Sequence, residues 1–272
     1  MILAQVDPIA FKLFGIPIHW YALIIVSGIV LGVWMASREA VRVGFEEDDI
    51  IDFMLWALPM SIIGARLYYV IFEWRTYIEH PLQIFNIRNG GLAIYGGLIA
   101  GGIVVYLFTQ HRYYSFWKFL DVAAPSVIIA QAIGRWGNFM NHEAYGPETS
   151  RQFLESLHLP NFIIENMYID GAFHHPTFLY ESIWNVIGFA VILYLRSKKD
   201  LFRQGEIFLT YVLWYSFGRF FIEGMRTDSL YLFNAIRVSQ LLSAVLFVTA
   251  LILFVYRRKK VMPPLYNKRG VR

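Results

Sequence analysis

Apolar residues gather along the chain in seven long blocks instead of alternating with polar ones. The blocks run from Ile16 to Ser37, about Ile51 to Phe72, about Leu92 to Thr109, Phe116 to Phe139, Phe178 to Leu195, Glu206 to Glu223 and Ile236 to Tyr256. Crossing the hydrocarbon core of a bilayer takes a helix of roughly 20 mostly apolar residues, and each block is close to that length. The pattern predicts an all-α integral membrane protein, a bundle of about seven transmembrane helices forming a single multi-pass domain over residues 1–272. The first block is too long for a secretory signal peptide and follows no basic stretch, so it is read as a span. The longest link, about 141–177, is rich in aromatics, His and Pro. It is expected to form a small extracytoplasmic head that covers a site.

Composition sharpens this picture. Of the 272 residues 57 % are hydrophobic and only 16 % charged, against about 25 % charged in soluble domains. Too little charge remains to coat a water-facing surface, which argues against a soluble enzyme and against a disordered chain. The net charge of +4 is small and the basic residues cluster outside the apolar blocks, so it reads as membrane topology and not as a nucleic-acid surface. The chain has no cysteine, which removes disulfides, thiolate metal sites and an internal cysteine nucleophile.

The basic residues set an orientation. The N-terminus and the links after the second, fourth and sixth blocks hold six, namely Lys12, Arg75, Arg88, Arg151, Arg226 and Arg237. The opposite links and the C-terminal tail, with Lys268, Arg269 and Arg272 at its end, hold fifteen. Cytoplasmic loops retain Lys and Arg, so the N-terminus is expected outside and the C-terminus in the cytoplasm. With Lys118 and Arg237, at the block ends, counted among the links, three of the 24 basic residues remain: Arg66, Arg135 and Arg219. An Arg at mid-membrane costs about 2.5–3.5 kcal/mol on insertion scales, so it is seldom found there without a partner or a use.

Two of the three sit in dense polar motifs. In Gly134-Arg135-Trp136-Gly137-Asn138-Phe139-Met140-Asn141-His142-Glu143-Ala144-Tyr145-Gly146, Arg135 and Asn138 share a helix face, and Asn141, Glu143 and Gly146 follow. A guanidinium beside amide and carboxylate groups suits a phosphodiester, since Arg donates two parallel hydrogen bonds to phosphate oxygens. A snorkelling interfacial Arg explains the same residues with equal economy. In the sixth block Tyr215, Arg219, Glu223 and Arg226 fall on one helix face that must point away from lipid, though Arg219 and Glu223 also read as a simple i, i+4 pair. Asn89-Gly90-Gly91-Leu92-Ala93-Ile94-Tyr95-Gly96-Gly97 sets one hydroxyl between two glycine pairs, which allow close backbone approach. His19-Trp20-Tyr21 opens the first block as an aromatic anchor, and His175-Pro176-Thr177-Phe178-Leu179-Tyr180-Glu181 opens the fifth with a carboxylate that needs a partner. No metal site is read: His174 and His175 are adjacent, and His142-Glu143 lacks a second His at metal-ligand spacing.

Taken together, these segments resemble the prolipoprotein diacylglyceryl transferase family of bacterial membranes. The likeness rests on GRWGNFMNHEAYG, supported in order by HWYALI, NGGLAIYGG, HPTFLYE and YSFGRFFIEGMR. It implies a seven-helix membrane transferase, without metal or organic cofactor, that moves the diacylglyceryl group of phosphatidylglycerol onto the lipobox cysteine of a prolipoprotein. Its partners are then phosphatidylglycerol and prolipoprotein signal peptides. The resemblance assigns phosphatidylglycerol binding to Arg135 with Asn138, Gly146, Tyr21, Tyr215 and Glu181, and catalysis to Arg135, Arg219, Tyr95, Glu143 and Glu223. Tyr95 stands where many members have His. An unperturbed Tyr, with a pKa near ~10, is a poor base at neutral pH, so Tyr95 is expected to orient the lipid or the thiol. Two intramembrane arginines would also suit a transporter or flippase for an anionic solute or lipid, but the seven blocks show no inverted repeat. A seven-helix receptor is a weaker third reading.

Overall fold

A computed structural model describes residues 6–87, 90–227, 231–232 and 236–267. Arg88, Asn89, Lys268, Arg269 and Arg272, named above, lie outside the described residues. The helices among them are α1 (Trp20–Val43), α2 (Asp49–Phe72), the short α3 (Trp74–Glu79), α4 (Ile94–His111), α5 (Phe116–Met140), the short α6 (Arg151–Ser156) and α7 (Asn161–Asn166), α8 (Thr177–Ser197), α9 (Glu206–Met225) and α10 (Val238–Tyr256). The strands are β1 (Ile9–Leu13), β2 (Ile16–His19), β3 (Glu148–Thr149), β4 (Tyr168–Ile169), β5 (Ala172–His174), β6 (Tyr231–Leu232) and β7 (Ile236–Arg237).

Among the described residues six helices are long and apolar enough to cross a membrane: α1, α2, α4, α5, α8 and α10. The seventh expected span exists as α9, whose 20 residues extend about 30 Å. Arg219, Glu223 and a run of Tyr, Trp and Ser place it outside the apolar class, and Glu206 and Glu223 are buried among protein neighbours. Two block starts differ from expectation. Ile16–His19 is a strand, paired antiparallel with β1 through Leu13↔Ile16 and Lys12↔Pro17, so α1 begins only at Trp20. Pro17 forces its predecessor into extended backbone, and Phe14 and Gly15, at φ 49° and 84°, form the left-handed turn that closes tight hairpins. Ile236–Arg237 likewise pairs with Tyr231–Leu232, so α10 starts at Val238.

The chain divides into two compact units, residues 36–120 and residues 1–35 with 121–267 among those described. In the first unit α2 and α4 touch backbone to backbone. A methyl on Gly96 would fall 2.3 Å from the Gly64 carbonyl oxygen, and one on Gly64 would fall 2.4 Å from Ala100 Cβ. Small residues permit this approach where apolar burial gives no net drive, as in lipid. Arg66 is buried in the same unit, and all its donor nitrogens point at backbone carbonyls: Gln83, Ile84, Asn86, Gly90 and Gly91. It ties the link before α4 to α2.

In the second unit Gly28 and Gly32 of α1 lie against Ala130 and Ser126 of α5. The link between α5 and α8 contains a small three-stranded sheet in the order β3-β5-β4. Its core joins Leu154, Ile163, Ile164, Met167 and Ile169 to Phe139 and Phe178 at the flanking helix ends, which seats the link on the termini of α5 and α8. At the opposite end of α9 the buried Asp121 carboxylate accepts the backbone N–H groups of Gly205 and Phe208 at 2.5 and 2.8 Å. Those N–H groups belong to the helix start, where no carbonyl of the preceding turn reaches them.

Candidate active site

The polar motifs at the ends of α5, α8 and α9 converge in the second unit. Arg135 lies five residues before the end of α5, and its Nη1 donates to Asn138 Oδ1 at 3.0 Å. Asn138 in turn donates to Glu143 Oε1 at 2.9 Å, across a turn in which His142 and Ala144 take left-handed backbone at φ 53° and 60°. The turn is held to the start of α8 twice. Gly146 N–H donates to the His175 carbonyl at 3.0 Å, and the Thr177 hydroxyl donates to the Ala144 carbonyl. A methyl on Gly146 would meet His175 Cβ at 2.8 Å, so this glycine serves the junction between the two segments. Trp136 and Ser182 extend the same junction, with Nε1 donating to Oγ at 3.2 Å.

Glu181 occupies the centre. Its side chain is only 4 % exposed, and it takes Arg135 Nη2 on Oε1 at 2.8 Å and Arg219 Nη1 on Oε2 at 3.0 Å. Arg219 Nη2 also meets Glu223 Oε2 at 2.6 Å. One carboxylate therefore joins the two arginines, and a second backs one of them. The i, i+4 pairing of Arg219 with Glu223 exists, but it accounts for only half of what surrounds Arg219. Tyr215, one turn before Arg219, lies close to Glu181, Arg135 and Arg219. Arg226 lines a narrow pocket together with Arg135, Asn138, Thr177 and Glu181. A neighbouring pocket shares Asn138 and Thr177 and is edged by His142, Glu143 and Asn166.

Tyr21 is 38 % exposed and packs against Gly137, where a methyl would come within 2.9 Å of its ring. The second glycine of the Gly-Arg-Trp-Gly motif is thus the seat of Tyr21. Tyr95 belongs to the other unit, on the first turn of α4, with its ring centroid 6.4 Å from that of Tyr68. Nothing in the chain marks Ser182 or Asn166, and Thr177 stands out only as part of the motif that opens the fifth block, because their contacts are made to segments 50, 160 and 33 positions away. Glu181 was legible as a carboxylate in need of a partner, though its double attachment was not.

The family model for prolipoprotein diacylglyceryl transferase matches residues 8–256 of this chain. The phosphatidylglycerol–prolipoprotein diacylglyceryl transferase of Enterococcus faecalis is 66 % identical over 268 residues, covering 98 % of this chain and 96 % of that protein. Proteins of the same name from Limosilactobacillus reuteri and Bacillus cereus are 56 % and 55 % identical, covering 97 % and 94 % of this chain and 96 % and 93 % of theirs.

Proposed function

The chain belongs to the prolipoprotein diacylglyceryl transferase family, and from that membership we propose that it moves the diacylglyceryl group of phosphatidylglycerol onto the lipobox cysteine thiol of a prolipoprotein, the first step of bacterial lipoprotein maturation. The observation that carries the site assignment is the joint attachment of Arg135 and Arg219 to Glu181. In the proposed reaction the thiolate sulfur attacks the glycerol carbon bearing the phosphate. The C–S bond forms as the C–O bond breaks, and glycerol phosphate leaves with the electron pair.

Charge moves from sulfur to the departing phosphate, so cations fixed at the phosphate stabilise the transition state more than the bound lipid. Arg135 and Arg219 fill that role, with Arg226 lining the same pocket as Arg135. Each guanidinium carries five N–H donors, which leaves donors for a phosphate while Glu181 keeps both planes oriented. Asn138 links Arg135 to Glu143. Glu143 is exposed and has a route for a thiol proton to reach water, whereas Glu223 is committed to Arg219. A free thiol has a pKa of about 8.5 and a nearby cation lowers it, so modest base assistance suffices. Tyr21 and Tyr215 shape the lipid side of the pocket, Gly146 its loop, and Tyr95 orients the lipid or the thiol. The six apolar helices make this a multi-pass membrane protein. The asymmetry of basic residues supports a bacterial cytoplasmic membrane location with the N-terminus outside and the C-terminus in the cytoplasm.

The test mixes purified protein with phosphatidylglycerol and a lipobox peptide in detergent and follows the peptide by mass spectrometry. A diacylglyceryl thioether on the cysteine is the expected product. Absence of the adduct, together with anion or lipid flux in vesicles, would overturn the transferase reading in favour of a transporter.

A further inference from the structure

Two tryptophans outside the charged cluster form a near-symmetric clasp between α8 and α9. The Trp184 and Trp214 rings stack with centroids 4.5 Å apart and planes 20° from parallel. Each indole N–H donates to the backbone carbonyl of the other tryptophan, both at 3.0 Å. Each ring also occupies a slot that a glycine leaves open on the opposite helix. A methyl on Gly218 would fall 2.1 Å from Trp184 Nε1, and one on Gly188 would fall 2.3 Å from Trp214 Nε1. The sequence carries the same Trp-x-x-x-Gly spacing on both helices, Trp184 to Gly188 and Trp214 to Gly218.

We propose that this clasp sets the register of α8 against α9 and thereby positions Glu181 for Arg219, making Trp184, Trp214, Gly188 and Gly218 positioning residues for the diacylglyceryl transfer. The inference rests on the functional reading above. Trp184 facing Gly218 and Gly188 facing Trp214 define an antiparallel register in which numbers rising on α8 fall on α9. Continued three residues outward, that register sets Glu181 opposite Phe221, between Arg219 and Glu223, and its ion pair with Arg219 forms there. A slip of one residue would bring the side chain of Phe217 or Arg219 into the slot that Gly218 leaves open. The slip would also break both indole hydrogen bonds. In apolar surroundings an unpaired donor is costly, so the clasp resists sliding from both ends. Ring stacking alone would tolerate sliding. The paired donors and paired glycines do not.

The test measures transfer in detergent for Gly218→Ala made both in the natural sequence and in a Glu181→Gln background, with helicity and melting temperature checked by circular dichroism. If the clasp acts through Glu181, Gly218→Ala lowers the rate at saturating phosphatidylglycerol on the order of tenfold in the natural sequence. It lowers the rate less than about twofold once Glu181 is already altered, the non-additivity of residues acting as a unit. The KM for the lipobox peptide stays within about twofold. Should Gly218→Ala fail to fold, Trp184→Phe, which keeps a ring and removes the donor, is run through the same two backgrounds. Equal losses in both backgrounds, or a folded variant with an undiminished rate, would overturn the clasp. A wild-type protein that forms no thioether sinks the transferase reading instead, so the two failures are separable.

Discussion

Arg135 reaches Glu181 at 2.8 Å from a different helix, and through that contact the α5 motif is joined to α8 and, by the other carboxylate oxygen, to Arg219 of α9. A planar guanidinium is needed here because it holds the Asn138 amide oxygen and the carboxylate at once. A lysine ammonium is a point charge and cannot reproduce that fork. Arg135→Lys is therefore expected to lose about 10²-fold or more in transfer rate, the scale of removing one preorganised donor to developing charge. A wild-type rate in the thioether assay would show that Arg135 does not bind the leaving phosphate.

Removing the shared carboxylate tests the other partner. Glu181→Ala leaves two half-buried guanidiniums facing each other without their common counter-charge, and breaking a buried pair from one side typically costs about 3–5 kcal/mol. The variant should melt well below the parent in thermal denaturation. Glu181→Gln, which keeps a similar shape and one acceptor, should recover part of that loss without recovering the rate. Equal melting temperatures for all three proteins would contradict the clamp.

Much of this was legible along the chain, and the limits have physical causes. Long apolar blocks reveal spans because lipid leaves a crossing chain few alternatives to a helix. The scarcity of intramembrane charge made Arg135 and Arg219 stand out for the same reason. The start of α1 was misplaced because Ile16 and Ile18 are as apolar as a span, and only Pro17 with the Phe14-Gly15 turn betrays the hairpin. That Glu181 serves both arginines depends on three helices meeting, which no spacing along one of them encodes. The clasp was written as two Trp-x-x-x-Gly spacings, but its pairing exists only once α8 and α9 are set side by side.

Tyr95 distinguishes two chemical roles. If its hydroxyl orients the lipid or the thiol, Tyr95→Phe should keep a measurable rate, reduced by roughly 5- to 30-fold, the worth of a single hydrogen bond of about 1–2 kcal/mol. The pH–rate profile should keep its shape. Complete loss of turnover with lipid binding intact would instead identify Tyr95 as the group that takes the thiol proton.

Arg66 explains itself by its partners. Five backbone carbonyls from Gln83 to Gly91 converge on it, and its guanidinium also lies 5.2 Å from the Tyr77 ring centre. A lysine offers three donors at most, so Arg66→Lys abandons at least two of these five carbonyls. Limited proteolysis should then cut the link before α4 faster than in the parent. Unchanged cleavage would mean that the link is held by other contacts.

Asp121 makes the corresponding argument for α9, the helix that presents Arg219 and Glu223. Its carboxylate is fully buried and accepts Gly205 and Phe208 N–H groups at the helix start, where the helix dipole favours negative charge. The segment beside this cap is closed by the chain's own tail: Gln204 N–H donates to the Pro264 carbonyl and Tyr266 N–H to the Phe202 carbonyl, at 3.0 and 2.9 Å, and Tyr266 is 1 % exposed. Asp121→Ala removes the acceptor from two buried donors, and losing a cap alone costs about 0.5–2 kcal/mol. The expected outcome is a lowered melting temperature together with faster hydrogen exchange at residues 205–208, while the KM for the lipobox peptide stays unchanged. Asp121→Asn keeps one acceptor oxygen and should fall between the two. Were exchange to quicken around Arg219 and leave residues 205–208 protected, the cap would not be what holds the start of α9.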